Sequence, residues 1–288
     1  MPDPSFSTLI SADQLAARLK RPDLRIIDCR YDLTDPDAGR RIYLESHLPG
    51  ALYADLGKDL SGPPLTDRGR HPLPSPDAMT ALFSALGVSP GTQVVAYDQT
   101  DGAIAARLWW MLRYMGHETA AVLDGGFTAW READLPVESG DVARTPARFT
   151  GAPRGDWLVT LDRVPGVPCL VDARLAPRYR GETEPLDPVA GHIPGAKNLP
   201  YRGNVGEDGR FLSPAQVAAR FAEVLGDRPP EDAVYYCGSG VTACHLLLAA
   251  AHAGLPPGKL YAGSWSEWCR DPARPVATGP EPGPPLEG

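Results

Sequence analysis

The sequence is poor in cysteine, and its five cysteines (Cys29, Cys169, Cys237, Cys244 and Cys269) include no C-x-x-C pair. Their odd number and wide spread do not suit a disulfide framework, and their spacing suits no zinc site. Long apolar runs are also lacking, since no stretch approaches the roughly 20 apolar residues that a membrane-spanning helix needs. A surplus of positive charge is missing as well. Lys plus Arg number 28 against 36 Asp plus Glu, a net charge of −8, so nothing global draws the chain toward nucleic acid or an anionic membrane. The opening stretch, MPDPSFSTLISADQLAARLK, has no basic region followed by an apolar core, and from this a cytoplasmic protein is expected. No metal-ligand cluster or nucleotide motif is recognisable, so no cofactor is expected.

What is present is a sequence written twice. RIIDCR at 25–30 is echoed by CLVDAR at 169–174, and SHLPGA at 46–51 by GHIPGA at 191–196. QVVAYD at 93–98 answers to AVYYC at 233–237, and LDGGFTAW at 123–130 to YAGSWSEW at 261–268. Asp28 lies 144 residues from Asp172, and Trp130 lies 138 from Trp268, so the copies differ by small insertions. Two tandem domains of one fold follow. We expect a first domain over residues 1–138, a linker over 139–156 with its Pro, Gly and charge content, a second domain over 157–277 and a flexible tail over 278–288.

Within each copy, short runs that are apolar on both faces alternate with amphipathic patterns such as SPDAMTALFSALG and AARLWWMLRYMG. That alternation predicts an α/β fold, a parallel sheet covered by helices on both sides. Ser75 and Ser213, each followed by Pro, are expected to cap helices. The tryptophans Trp109, Trp110, Trp130, Trp265 and Trp268 read as core.

The stretch AVYYCGSGVTACHLLLAAAHAG (233–254) ends a strand at a cysteine, turns through two glycines and opens a helix near Thr242. In open parallel sheets ligands bind at the carboxyl ends of strands. A tight turn feeding a helix N-terminus aims backbone N–H groups inward, which favours a thiolate. From the loop alone, Cys237 is either such a nucleophile or a small buried hydrophobe. Cys29, Cys169, Cys244 and Cys269 read as packing, with Cys244 close enough in sequence to act as a resolving thiol.

The duplicated layout, HLPGA and HIPGA, and above all CGSGVTA closing a strand in the second copy, resemble the tandem-domain rhodanese sulfurtransferases over nearly the whole chain. The resemblance implies two rhodanese-like domains, an inactive first copy with Asp98 in place of the cysteine, and catalysis by Cys237 in the second. It implies transfer of a sulfane sulfur from a small donor, through a Cys237 persulfide, to a thiophilic acceptor such as cyanide, a thiol or a thioredoxin-like protein. Gly238, Gly240, Val241 and Thr242 would form the sulfur-binding loop. The fold also resembles that of phosphatases with C-x5-R, but Ala243 stands where their arginine would be.

CGSGVTA is most similar to the loop of mercaptopyruvate sulfurtransferases, whereas thiosulfate-preferring members carry cationic residues after the cysteine. The resemblance groups Ser239 with His47 and Asp37 as catalytic residues, and places Arg178 on the donor carboxylate. The family's second arginine is replaced by Leu186, leaving Arg180 as a substitute. Thiosulfate:cyanide sulfurtransferase and a persulfide carrier with little small-donor turnover are the alternative readings. His192, Asp28, Asp172, Arg30 and Arg174 read as structural. The long irregular stretch GPPLTDRGRHPLPSP (62–76) reads as a functional loop or interdomain packing, with Arg70 and His71 as candidates to border the site.

Overall fold

The computed structural model describes residues 5–63, 68–143 and 145–286. The chain divides into two compact units. Unit 1 comprises Met1–Gly62, Pro74–Arg154 and Gly206–Phe211, and unit 2 comprises Pro63–Leu73, Gly155–Val205 and Leu212–Gly288. Part of the 62–76 stretch thus belongs with the second repeat in space; Pro64 to Asp67 lie outside the described residues. Among the described residues no helix is long and apolar enough to cross a membrane.

Unit 1 runs β1 (Leu9–Ile10), α1 (Ala12–Ala16), β2 (Leu24–Asp28), α2 (Ala38–Glu45), β3 (Leu52–Tyr53), α3 (Pro76–Ala85), β4 (Gln93–Tyr97), α4 (Ala105–Tyr114), β5 (Ala120–Leu123) and α5 (Gly126–Glu132). Its strands form one parallel sheet in the order β1-β5-β4-β2-β3. Unit 2 runs β6 (Cys169–Asp172), α6 (Ala176–Tyr179), β7 (Lys197–Asn198), α7 (Pro214–Leu225), β8 (Ala233–Tyr236), α8 (Thr242–His252), β9 (Lys259–Leu260) and α9 (Ser264–Trp268). Its parallel sheet has the order β7-β6-β8-β9. The two orders superpose, strand for strand. In place of β1, unit 2 has a parallel bridge between Leu158 and Leu260. Every residue of β4, β6 and β8 is buried, as a sheet covered on both faces requires. Ser75 Oγ accepts from Ala78 N, and Ser213 Oγ from Gln216 N, so both expected caps form with Pro at the start of the helix. Trp109, Trp110, Trp130, Trp265 and Trp268 are all buried, as expected.

The repeated motifs are explained by repeated physical tasks. Tyr43 Oη donates to Ala51 O at 2.9 Å and Tyr179 Oη to Ala196 O at 2.7 Å, so each H-x-PGA turn is tied to the helix before it. Its histidine bonds through Nδ1 to the carbonyl of that same tyrosine, 2.8 Å in both copies, and stacks on its ring. Each histidine backbone also forms a two-bond antiparallel bridge, His47 with Glu138 and His192 with Ala277. The D-x-R pairs are buried at the ends of β2 and β6, and Arg30 and Arg174 each grip the aspartate two residues earlier, at Nη2 to Oδ2 distances of 2.6 Å.

Two stretches are more tightly held than their composition suggests. In the expected linker, Ala147 N and Phe149 N donate to Ser84 O and Ser84 Oγ, Arg154 N donates to Tyr114 O, and the Phe149 ring is buried against Phe83. In the expected tail, Gly279 N donates to Arg180 O, Pro282 O accepts from Gly195 N, and Leu286 packs on the unit 2 core. Proline and glycine here break regular structure without preventing apolar contact, which explains the difference from a frayed end.

Candidate active site

The β8-to-α8 turn carries Cys237 at the carboxyl edge of the unit 2 sheet. Its Sγ accepts a hydrogen bond from Gly240 N at 3.1 Å, which satisfies sulfur from the turn that the two glycines make possible. Gly240 has φ +79, and a Cβ there would run into the Ala262 carbonyl, so no other residue fits this turn without moving it. The turn is clamped by the following βα connection. Trp265 N donates to Cys237 O and Ser266 N to Gly238 O, both at 2.9 Å. Cys237 N donates to Ser264 Oγ at 3.1 Å.

Unit 1 makes the same clamp, with Phe127 N on Asp98 O and Thr128 N on Gln99 O. The comparison isolates what differs. At the position of Ser264 (φ 57) unit 1 has Gly126 (φ 58). A left-handed serine is strained where glycine is not, and in unit 2 that strained serine supplies the hydroxyl that holds the cysteine backbone. At the position of Cys237, Asp98 turns its carboxylate into the turn and accepts from Thr100, Gly102, Ile104 and Ala105 N–H groups at 2.8 to 3.2 Å. Burial pushes this carboxyl's pKa up and the backbone donors pull it back. The cradle that in unit 2 faces a sulfur is in unit 1 filled by the protein's own carboxylate. Asp98→Ala would leave those donors without their acceptor, and we expect a loss of on the order of 3 kcal/mol in urea unfolding followed by a unit 1 probe. A loss below about 1 kcal/mol would show that water replaces the carboxylate fully.

The remaining cysteines have no comparable setting. Burial pushes the Cys29 and Cys169 thiols up, and that of Cys269 to about 11. Cys244 is fully buried and its Sγ donates to Gly240 O at 3.3 Å, holding the same turn from α8.

Around the turn, unit 2 assembles a set of side chains that only partly matches the sequence expectation. Ser239 Oγ lies 2.8 Å from Nδ1 of His71, both residues buried. His47 is fully buried in unit 1, fixed by bonds that match those of its twin His192 in unit 2. Asp37 precedes α2 on the surface of unit 1, with Lys58 Nζ 3.5 Å from its carboxylate. Within unit 2 the histidine that meets Ser239 is His71. Arg178 reaches the turn, with both terminal nitrogens near Gly238, 3.4 and 3.5 Å from where a Cβ would be. Its guanidinium is held bidentately by Glu184, at 2.6 and 3.1 Å. Arg180 is half-buried and paired with Glu182, at 2.6 and 3.0 Å, while Leu186 is exposed. Val241 caps α8, Thr242 is its first residue, and Gly238 and Gly240 complete the turn. Arg70 and Asp187, an ion pair beside Gly238, join this cluster. The long irregular 62–76 stretch was the signal that pointed to Arg70 and His71; Asp187 had none.

The chain is similar to known proteins over nearly its whole length. The model of the rhodanese-like domain matches residues 11–133 and again 156–271. The probable 3-mercaptopyruvate sulfurtransferase of Pseudomonas aeruginosa is 50% identical over 282 residues, covering 96% of this chain and 99% of its own. The thiosulfate sulfurtransferase of Bos taurus is 35% identical over 279 residues, covering 91% and 92%. Among solved structures, 3-mercaptopyruvate sulfurtransferase from Leishmania major superposes with a TM-score of 0.83 at 34% identity, over 93% of this chain and 75% of that one.

Proposed function

Because the chain belongs to the rhodanese family through both of its halves, we propose that it is a sulfurtransferase that takes sulfur from 3-mercaptopyruvate onto Cys237 and passes it to a thiophilic acceptor. The observation that carries this reading is the Cys237 sulfur on the Gly240 N–H with Ser239, His71 and Arg178 gathered about the same turn.

The chemistry is a double displacement. The Cys237 thiolate attacks the donor sulfur, and a sulfur–sulfur bond forms as the donor carbon–sulfur bond breaks. The electron pair of the broken bond goes to carbon as the enolate of pyruvate, which takes up a proton and leaves as pyruvate. The Ser239–His71 pair belongs to the same turn as the thiol and is suited to supplying that proton. In the second step the acceptor attacks the outer sulfur of the persulfide, the sulfur–sulfur bond breaks and the Cys237 thiolate is restored. Arg178 is suited to holding the donor carboxylate, a planar fork against a planar anion.

Thiosulfate is disfavoured because CGSGVTA has no cation to balance a dianion. The reading implies a small thiol, cyanide or a thioredoxin-like protein as acceptor, and a reducing compartment such as the cytoplasm, in keeping with five free cysteines. Steady-state kinetics with cyanide as acceptor should give 3-mercaptopyruvate a kcat/KM at least about tenfold above thiosulfate. The reverse order would make the enzyme a thiosulfate sulfurtransferase, and no turnover of either would favour a persulfide carrier.

A further inference from the structure

The family's second arginine is missing at Leu186, and Arg180 is turned to Glu182; the charge is supplied from another segment. We propose that Arg70, Asp187 and Arg178 form one donor clamp, in which Arg70 is the second carboxylate-binding guanidinium and Asp187 sets the charge of the donor that the site accepts. This rests on the sulfurtransferase reading above.

Gly238, next to Cys237, is where the two guanidiniums converge. A Cβ on Gly238 would lie 2.9 Å from Arg70 Nη2 and 3.4 Å from Arg178 Nη2. The backbone of Gly238 is not left-handed, so a side chain here would meet the two guanidiniums rather than strain the backbone. That space, lined by two cationic forks one residue from the nucleophile, is suited to a small carboxylate. The forks stay partly open to solvent, with side-chain exposures of 26% for Arg70 and 18% for Arg178. Arg70 is registered to the loop by its backbone as well: its N–H donates to Ser266 Oγ at 3.0 Å, and Ser266 N donates to Gly238 O.

Asp187 joins the two arginines. Its Oδ1 pairs with Arg70 Nη1, and its Oδ2 lies 3.4 Å from Arg178 Nη2. With a side-chain exposure of 4%, it acts from below the site rather than from solvent. Glu184 is shared between Arg178 and Arg174, and Arg174 is paired with Asp172. The connected arginines and carboxylates are therefore equal in number before a donor arrives. A monoanion adds one charge to a balanced cluster, whereas a dianion such as thiosulfate adds two in a partly desolvated site, where the penalty is larger. Asp187 is thus the residue that biases the clamp toward a monocarboxylate.

The test uses the full chain and its Arg70→Ala, Arg70→Lys, Asp187→Asn and Arg180→Ala variants, with KM and kcat measured for 3-mercaptopyruvate and for thiosulfate. Arg70→Ala is expected to raise the mercaptopyruvate KM about tenfold to a hundredfold with a much smaller change in kcat, and Arg70→Lys to recover part of the loss. Asp187→Asn is expected to shift the ratio of kcat/KM values toward thiosulfate by about tenfold. That ratio does not depend on the fraction of folded enzyme, so partial misfolding of a variant does not hide the answer. The clamp is overturned if Arg70→Ala leaves KM unchanged, if Arg180→Ala raises it in place of Arg70→Ala, or if Asp187→Asn leaves the ratio where it was. Mass spectrometry of the unmodified protein after mercaptopyruvate separates the two levels. Absence of a gain of about 32 Da on Cys237 would sink the sulfurtransferase reading itself; a gain with unaltered Arg70 variants would sink the clamp alone.

Discussion

Replacing Cys237 by serine is expected to lower sulfur transfer by on the order of 10⁴-fold or more, with the fold intact. Serine is smaller than cysteine and its hydroxyl can accept the Gly240 N–H that Sγ now accepts at 3.1 Å, so the turn need not change. What is lost is the nucleophile. A hydroxyl does not ionise near neutral pH without a strong base, and oxygen does not form the relay bond to sulfur that a thiolate forms. The measurement is intact-protein and peptide mass spectrometry after donor treatment, together with cyanide-dependent product formation. The wild-type chain should gain about 32 Da at residue 237 and lose it on adding cyanide. The variant should gain nothing. A gain that persists in the variant and maps to Cys244 would move the chemistry to the thiol that donates to Gly240 O. Cys29, Cys169 and Cys269 are poor alternatives, because burial holds each in the protonated form at neutral pH.

The parts of this structure legible in the sequence are those in which a motif performs a local task. Strand, glycine turn and helix follow one another within CGSGVTA, so the cysteine's place at a strand end needs no long-range information. The two-fold writing of the chain was equally legible, because Tyr43 with Ala51 and Tyr179 with Ala196 are tied by the same bond in both copies. His47 and His192 hold corresponding bonds in the two copies, so the repeated H-x-PGA motif marks a shared element of the fold. His71 was harder to see, since it lies 168 residues from Ser239 in an irregular stretch with no period to read. Arg70, a candidate on the same irregular stretch, could be given no role for the same reason. Asp187 is a single acid among many, and only its position between two guanidiniums distinguishes it.

Asp172→Ala should destabilise unit 2 by about 3 to 5 kcal/mol, because it strands a buried cation. Arg174 has a side-chain exposure of 1% and donates three side-chain bonds to the Asp172 carboxylate, at 2.6 to 3.1 Å. Its guanidinium also lies 4.7 Å from the centre of the Trp265 ring, so water cannot easily replace the lost carboxylate. The Gly191 carbonyl at 2.7 Å and Glu184 at 3.3 Å remain, and they set the lower end of the range. Deleting the charge together with its partner, in Asp172→Ala with Arg174→Met, should recover part of the loss, since the cost lies in the unpaired ion more than in the missing bond. Urea unfolding with a separate probe in each unit is the suitable measurement, because two units need not unfold in one step. The same substitution reaches the active site. With Asp172 gone, Arg174 can draw Glu184 toward itself and loosen the fork that fixes Arg178, so the donor KM should rise in protein that is still folded. A loss of stability below about 1 kcal/mol with an unchanged KM would mean that Arg174 is satisfied by Gly191 and Glu184 alone, and that the D-x-R motif at the ends of β2 and β6 serves some other end.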